Sequence, residues 1–340
     1  MIQNDQTVGN VEGKKKVVIV AMNGHMLLDF AGPADVFNST NKILETSKNI
    51  AGYDILVVSP TADKIVINSV GMEIKCTYSI MDLQSSIDTL LIAGSNNLQD
   101  HDDPIYDEFY NWLAAANNCS RRIGSICAGA FALAKAGLLD GRRATTHWDR
   151  SKMLQKKYPL IHVDSNPFYV SDGHIYTSGG VSSGIDLALA LVEEDFGKAI
   201  AIQVARRLVV YLNRPGYQIQ FGSLLESGDT YKIVDRLQPW IVDRLDEPLD
   251  TTRLANQANM SLRNFTRVFT KQTGLPPAKY IEKVRVEASR KYLEDTDLPL
   301  EIIAEKCGLG SLVSMRRTFL RHLMITPSAY RRAFRSALAV

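Results

Sequence analysis

The C-terminal third of the chain repeats itself. Leu254-Ala255 recurs as Ile303-Ala304, Phe265 and Phe269 recur as Met315 and Phe319, and Pro277-Ala278-Lys279-Tyr280 recurs as Pro327-Ser328-Ala329-Tyr330, at an offset of about 50 residues. Each copy has one plan. A short helix (Thr252 to Ala258, then Leu300 to Cys307) meets a tight turn, and a Ser in N-cap position (Ser261, then Ser311) opens a second helix. Apolar residues four apart on that helix pack inward and leave Arg263 and Arg267, or Arg316 and Arg317, outside. This is the build of a helix-turn-helix: the first helix braces, the turn sets the crossing angle, and the second helix offers its N-terminal part to the major groove. Arginine is the side chain that bonds guanine bidentately there. One such unit by itself reads sooner as a helical bundle with solvated arginines, but two in a basic region favour DNA. From Tyr231 onward there are about 19 basic and 12 acidic residues, about +7, although the whole chain carries only +2.

Upstream the pattern changes. From Lys16 to about Asn213, short β-branched runs alternate with helical patterns, the signature of a parallel sheet covered by helices. The expected strands are Val17 to Met22, Tyr53 to Ser59, Thr89 to Ala93, Arg122 to Cys127 and His174 to Thr177. The expected helices are Asp29 to Leu44, Pro104 to Ala116, Ala128 to Leu138, Ser151 to Lys157 and Gly184 to Leu212. Pro159, Pro167 and Gly179-Gly180 punctuate the later part as loops. The stretch Asn213 to Thr230, with Arg214-Pro215-Gly216 and Gly228-Asp229, breaks a helical pattern with residues unsuited to a helix interior. A chain of 340 residues is long enough for two domains. The expected boundaries are therefore an α/β domain over 14–213, a linker over 214–230 and an all-α domain over 231–336, with helix-turn-helix units at about 252–273 and 300–322.

Composition sets outer limits. Hydrophobic residues at 45% and charged residues at 22% describe a globular protein, and no apolar run reaches membrane-span length. Val17 to Ala21 is too short for the apolar region of a signal peptide, so Met1 to Lys16 reads as a polar tail before the first strand. Cys76, Cys119, Cys127 and Cys307 show neither close pairing nor a zinc-finger spacing, which fits a reducing cytoplasm without structural metal.

The first domain carries one chemical motif. Gly124-Ser125-Ile126-Cys127-Ala128-Gly129-Ala130 follows a β-branched strand and precedes a helical Ala/Leu pattern. Strand, sharp turn and helix make a nucleophile elbow, in which small neighbours permit the turn and the helix N-terminus lowers a thiol pKa and cradles an oxyanion. A buried structural cysteine has the same residue type, so both readings stand. His147, in Thr146-His147-Trp148, reads as a base, a pocket wall or a core hydrogen-bonding group. His101 with Asp102-Asp103 reads as a solvated loop, His162 and His174 as isolated, Gly179-Gly180 as a tight turn without a P-loop lysine, and Trp112 and Trp240 as core.

The residues also carry two family resemblances. Leu254-Ala255, Met260-Ser261, Phe265, Gly274 and Pro277 to Tyr280, followed by Ile302 to Gly308 and Thr326-Pro327 to Tyr330, resemble the AraC/XylS DNA-binding domain. The resemblance implies two helix-turn-helix subdomains joined by a long helix, about Pro277 to Leu293. By position it puts base-facing residues at Arg263, Thr266 and Arg267, and at Leu312, Val313, Ser314 and Arg317; Ser261, Asn264, Ser311 and Arg316 complete the expected DNA-binding surface, and the basic C-terminal end reads as a phosphate anchor through Arg331 and Arg332. Leu309, Met315 and Met324 depart from the family pattern, Met324 standing where a Gly is usual.

Leu28 to Pro33, Gly124 to Gly129, Ala136 to Arg142, Ala144 to Trp148 and Tyr176 to Gly180 resemble the ThiJ/PfpI branch of the class I glutamine-amidotransferase-like fold, and the order of the two domains resembles GlxA-like regulators. The implied architecture is a flavodoxin-like parallel sheet with helices on both faces. The implied pocket is Asp29, Gly32, Cys127, Ala128, His147 and Trp148. Asp29 stands where enzymatic relatives keep an acid, although an Asp opening a helix is also a common N-cap, and Ala128 replaces a Thr that some of them carry after the Cys. The implied function is a cytoplasmic transcriptional activator, a homodimer on double-stranded DNA that works with RNA polymerase and senses a small-molecule effector, such as an amino-acid derivative or quaternary amine, without cofactor or metal. The alternatives are a cysteine-dependent hydratase or amidase, or a redox sensor using Cys127.

Overall fold

The computed structural model describes residues 13–47, 50–83, 86–95, 103–212, 214, 217–221 and 232–334. Seven strands, β1 (Lys15–Ala21), β2 (Tyr53–Ser59), β3 (Tyr78–Ser79), β4 (Thr89–Ala93), β5 (Arg122–Ile126), β6 (Tyr169–Asp172) and β7 (Ile175–Ser178), form one sheet in the order β6-β7-β5-β4-β1-β2-β3. Neighbours run parallel except β6 with β7. Val18 and Val20 of β1 face one apolar cluster while Val17 and Ile19 face another, so the strand is buried on both sides and reads as a continuous apolar run.

The helices of this unit are α1 (Leu27–Ser47), α2 (Asp107–Ala116), α3 (Gly129–Lys135), α4 (Ser151–Lys157), α5 (Ser183–Phe196) and α6 (Lys198–Leu208). Phe109, Leu113, Phe131 and Leu154 from α2, α3 and α4 fill one cluster. Phe37, Leu187, Leu191 and Val204 from α1, α5 and α6 fill the other. From β1 the chain steps to β2 on one side and later returns to β4 on the other, which opens a crevice beyond the carboxyl ends of β1 and β4.

Several boundaries differ from the sequence expectation for identifiable reasons. The helix expected over Gly184 to Leu212 is two, because Gly197 takes φ +83° and ends α5. The helix expected from Ala128 to Leu138 is α3, which stops at Lys135 before Gly137 at φ +73°. The first helix begins at Leu27, so Asp29 lies inside its first turn and is not its cap. Strand β6, the hairpin Ile65–Ile67 with Glu73–Lys75, and the pair Arg143–Ala144 with His162–Val163 are additions to the expected elements, since pieces of two to four residues carry no readable alternation. This unit continues to Gln218 and the next begins at Ile219, a division that falls within the stretch 214–230 expected as linker. His101, Asp102, Pro215-Gly216 and Gly228-Asp229 lie outside the described residues.

The second unit is helical: α7 (Lys232–Val242), α8 (Thr251–Gln257), α9 (Leu262–Thr273), α10 (Pro277–Asp295), α11 (Leu300–Lys306), α12 (Leu312–Leu323) and α13 (Pro327–Phe334). It has two cores that share α10. Tyr280, Ile281 and Val284 from the front of α10 join Leu254, Phe265 and Phe269, and Val286 and Leu293 from its rear join Ile303, Met315, Phe319 and Tyr330. Trp240 and Trp112 are half-buried against their cores, Trp240 beneath the guanidinium groups of Arg244 and Arg253. Among the described residues no helix is long and apolar enough to cross a membrane.

Candidate functional site

The elbow is formed as its sequence requires. β5 ends at Ile126, Cys127 turns through φ +55°, and α3 starts at Gly129. A non-glycine residue at positive φ persists only where its surroundings impose it. Here the Cys127 amide donates to the Gly179 carbonyl at 3.1 Å and the Thr146 hydroxyl donates to the Cys127 carbonyl at 2.8 Å. The turn is also wedged against β4. A Cβ on Gly94 would lie 1.9 Å from the Gly129 nitrogen, and one on Gly129 would lie 2.2 Å from the Ile92 carbonyl oxygen.

Of the two readings of Cys127, the electrostatics favour the buried cysteine over the acidified thiol. Burial, then the neighbouring Asp29 charge, push Cys127 up to about 11, and the Val181 and Ala128 amides and Arg150 oppose this without overcoming it. A seven-residue helix supplies too little dipole to offset full burial. The group is a thiol at neutral pH.

Asp29 is fully buried and neither carboxyl oxygen has a hydrogen bond of good geometry. Burial raises its pKa to about 7, and the Met26 backbone nearby lowers it by less than burial raises it. Its charge is felt at Cys127, so the two side chains are neighbours. His25, in the loop between β1 and α1, is buried too; its Nδ1 donates to the Met22 carbonyl, its ring meets Phe30 edge-on, and burial lowers its pKa. Sequence reasoning missed His25, because nothing in a lone loop histidine reveals burial.

One ring nitrogen of His147 is committed to the backbone. Its Nδ1 accepts from the Asp149 amide at 3.2 Å, capping the short turn Trp148–Arg150, and burial lowers its pKa. Its ring lies against Gly180, where a Cβ would approach Cδ2 to 2.6 Å, and Trp148 sits 5.3 Å away, centroid to centroid. Gly32 serves packing: its missing side chain lets Ile185 of α5 approach α1. Ala128 is buried and caps α3 without a side-chain bond.

Two residues of the stretch expected as linker complete the surroundings. Gln218 is buried; its Nε2 donates to the Pro167 carbonyl (2.7 Å) and Thr145 Oγ1 (3.1 Å), and its Oε1 accepts from the Gly180 amide (3.2 Å). Arg214 donates to the hydroxyls of Ser182 and Ser183, pairs with Asp186 at 2.8 Å and lies 3.8 Å over the Phe168 ring. Breaker residues nearby signalled a linker and hid these contacts. Among the described residues no group of three His, Cys, Asp or Glu side chains could hold a metal ion.

In the second unit, Arg263, Asn264, Arg267, Leu312, Val313, Ser314, Arg316 and Arg317 are exposed along the opening turns of α9 and α12, over buried Phe265, Phe269, Met315 and Phe319. Arg267 is steadied by a 3.0 Å bond to Asn264 Oδ1. The two serines differ: Ser311 Oγ accepts from the Ser314 amide, whereas Ser261 occupies the cap without a side-chain bond. Thr266 is half-buried and its hydroxyl donates back to the Leu262 carbonyl, so it is engaged with its own helix. Arg331 is also turned inward, bonding the Leu298 carbonyl at 2.6 Å, and only Arg332 of that pair is exposed. The second turn holds one residue more than the first, with Gly308 and Gly310 at positive φ where the first has only Asn259.

Residues 15–194 match the DJ-1/PfpI family over more than half the chain. The chain belongs to the DJ-1/PfpI family. Behind the DJ-1/PfpI domain, residues 254–333 match a helix-turn-helix domain of the AraC type. The chain is 28% identical over 267 residues to the HTH-type transcriptional regulator CdhR of Pseudomonas aeruginosa, covering 77% of each. It is 27% identical over 303 residues to the HTH-type transcriptional regulator GlxA of Rhizobium meliloti, covering 87% of this chain and 91% of GlxA. It is also 30% identical over 172 residues to the isonitrile hydratase of Pseudomonas putida, covering 50% of this chain and 67% of that enzyme. The regulators match across both units, and the enzyme match covers half of the chain.

Proposed function

We propose that this chain is a DNA-binding transcriptional regulator whose DJ-1/PfpI domain senses a small metabolite. The observation that carries the reading is the tandem: two helix-turn-helix units with separate cores on one shared helix, each exposing arginines at the start of its second helix. Double-stranded DNA is the partner such surfaces fit, and the chain works where that DNA lies, in the cytoplasm. A homodimer is the economical form, since paired half-sites multiply affinity. RNA polymerase is the partner through which an activator would act.

The effector belongs at Asp29 and Cys127. A buried carboxyl with both oxygens unpartnered is costly, and a ligand carrying a positive charge or hydrogen-bond donors offsets that cost. An amino-acid derivative or quaternary amine has that character. Catalysis is not part of the proposal, because a thiol near 11 is a poor nucleophile at neutral pH and His147 is engaged as a cap. The coupling would run through the loop Gly179 to Ser183. The Val181 amide faces the Cys127 sulfur, while Gln218 and Arg214, on the chain leading to the DNA-binding unit, hold Gly180, Ser182 and Ser183.

The test is DNA binding by the full chain with and without amino acids, betaines and other amines that raise its melting temperature. Arg263→Ala or Arg267→Ala is expected to weaken specific binding by ~1–3 kcal/mol. A chain that binds DNA identically with every compound that shifts its melting temperature would refute the sensor reading.

A further inference from the structure

The exposed positions that open α9 and α12 correspond one to one. At an offset of about 50 residues Leu262 matches Leu312, Arg263 matches Val313, Asn264 matches Ser314 and Arg267 matches Arg317. Phe265 and Met315 lie buried at equivalent positions beneath them, so the two helices turn the same face outward. The chemistry of that face differs most sharply at one position. The first helix offers the Arg263 guanidinium, and the second offers Val313, 59% exposed beside Leu312 at 37%.

We infer that the two units read different base chemistry: Arg263 reads a guanine edge, and Val313 with Leu312 makes α12 a reader of the thymine 5-methyl group. The inference rests on the DNA-binding reading above. Val313 and Leu312 are absent from the core beneath α12, which closes through Met315, Phe319 and Leu323. The fold therefore gains little from their being apolar. In the major groove the thymine methyl is the apolar group that an aliphatic side chain can cover, while every other edge presents donors or acceptors. The neighbours suit that occupant. Arg316 and Arg317 are exposed on the same helix and complement the phosphates that flank a groove, which an apolar protein partner would leave unpaired. The Ser314 amide is already committed to Ser311 Oγ.

The experiment selects duplexes from a random pool with the full chain, then replaces each thymine of the enriched site by uracil, which deletes the methyl and keeps the pairing. Loss of one buried methyl is expected to weaken binding about fourfold, at one or two thymines confined to one half of each site. Val313→Arg should change the preferred base there from thymine to guanine, and the companion Arg263→Val should lose guanine preference in the other half. Both positions are exposed, and a melting curve equal to that of the parent chain confirms that each variant is folded. Uracil tolerated at every position, or a Val313→Arg chain that enriches an unchanged sequence, overturns the inference while leaving DNA binding standing. A chain that enriches no sequence overturns the DNA-binding reading and the inference together.

Discussion

Replacing Asp29 by asparagine should remove a pH dependence of stability whose size follows from burial. In the folded chain the carboxyl sits at about 7, against an ordinary value of 3.8. Folding therefore favours the protonated form, and the native state holds this proton where the unfolded chain has released it. Stability falls as pH rises through that window, because the folded state binds more protons than the unfolded state. Below about pH 4 the carboxyl costs nothing extra; above about pH 7 the full penalty is present. At 1.36 kcal/mol per pH unit, the gap is worth ~4 kcal/mol, an upper figure, since water entering the crevice would relieve part of it. An asparagine amide cannot ionise, so the stability difference between Asp29→Asn and the parent chain, measured by urea unfolding of the full chain, should grow in favour of the variant between pH 4 and pH 8 by a few kcal/mol. Asp186, raised to about 6, contributes its own slope to both chains and cancels in the comparison. A difference that stays constant across this range would refute the account of Asp29 as an unpartnered buried acid.

Three further outcomes follow from individual residues. Met324 ends α12 at φ +56°, where Gly274 ends α9 at φ +69°, and the left-handed region costs a residue with a Cβ ~1 kcal/mol; Met324→Gly should raise unfolding stability by about that amount, and a neutral or destabilised variant would show that Met324 contributes packing worth as much. Gly94→Ala puts a Cβ against the backbone at the start of α3, so the first unit should lose ~3 kcal/mol or more in a melting experiment, and a parent-like melt would place the elbow elsewhere. Cys127 should alkylate at pH 8 more than about 100-fold slower than free cysteine, with exposed Cys119 as the internal standard in site-resolved mass spectrometry; its rate should climb tenfold per pH unit toward 11, and a plateau below pH 9 would restore the redox-sensor reading.

What the sequence determined by itself was local and periodic. The 50-residue repeat, the arginines between buried aromatics and the Gly-rich turn around Cys127 are patterns within one or two elements, so the helix-turn-helix pair and the elbow were legible without a structure, and so was the doubly covered parallel sheet from its β-branched runs. What depends on residues far apart along the chain was not. Whether the Cys127 thiol is acidified by its helix or is a buried cysteine stayed open in the sequence, and burial, then Asp29 nearly a hundred positions earlier, raise it. Gln218 and Arg214 sat in a stretch whose Pro and Gly announced a linker, and only the tertiary structure shows them fastened to Gly180, Ser182 and Ser183. Desolvation and long-range hydrogen bonds belong to the packed chain, since each needs neighbours that no local pattern names; periodicity and turn chemistry belong to the sequence, since each is set within a few residues.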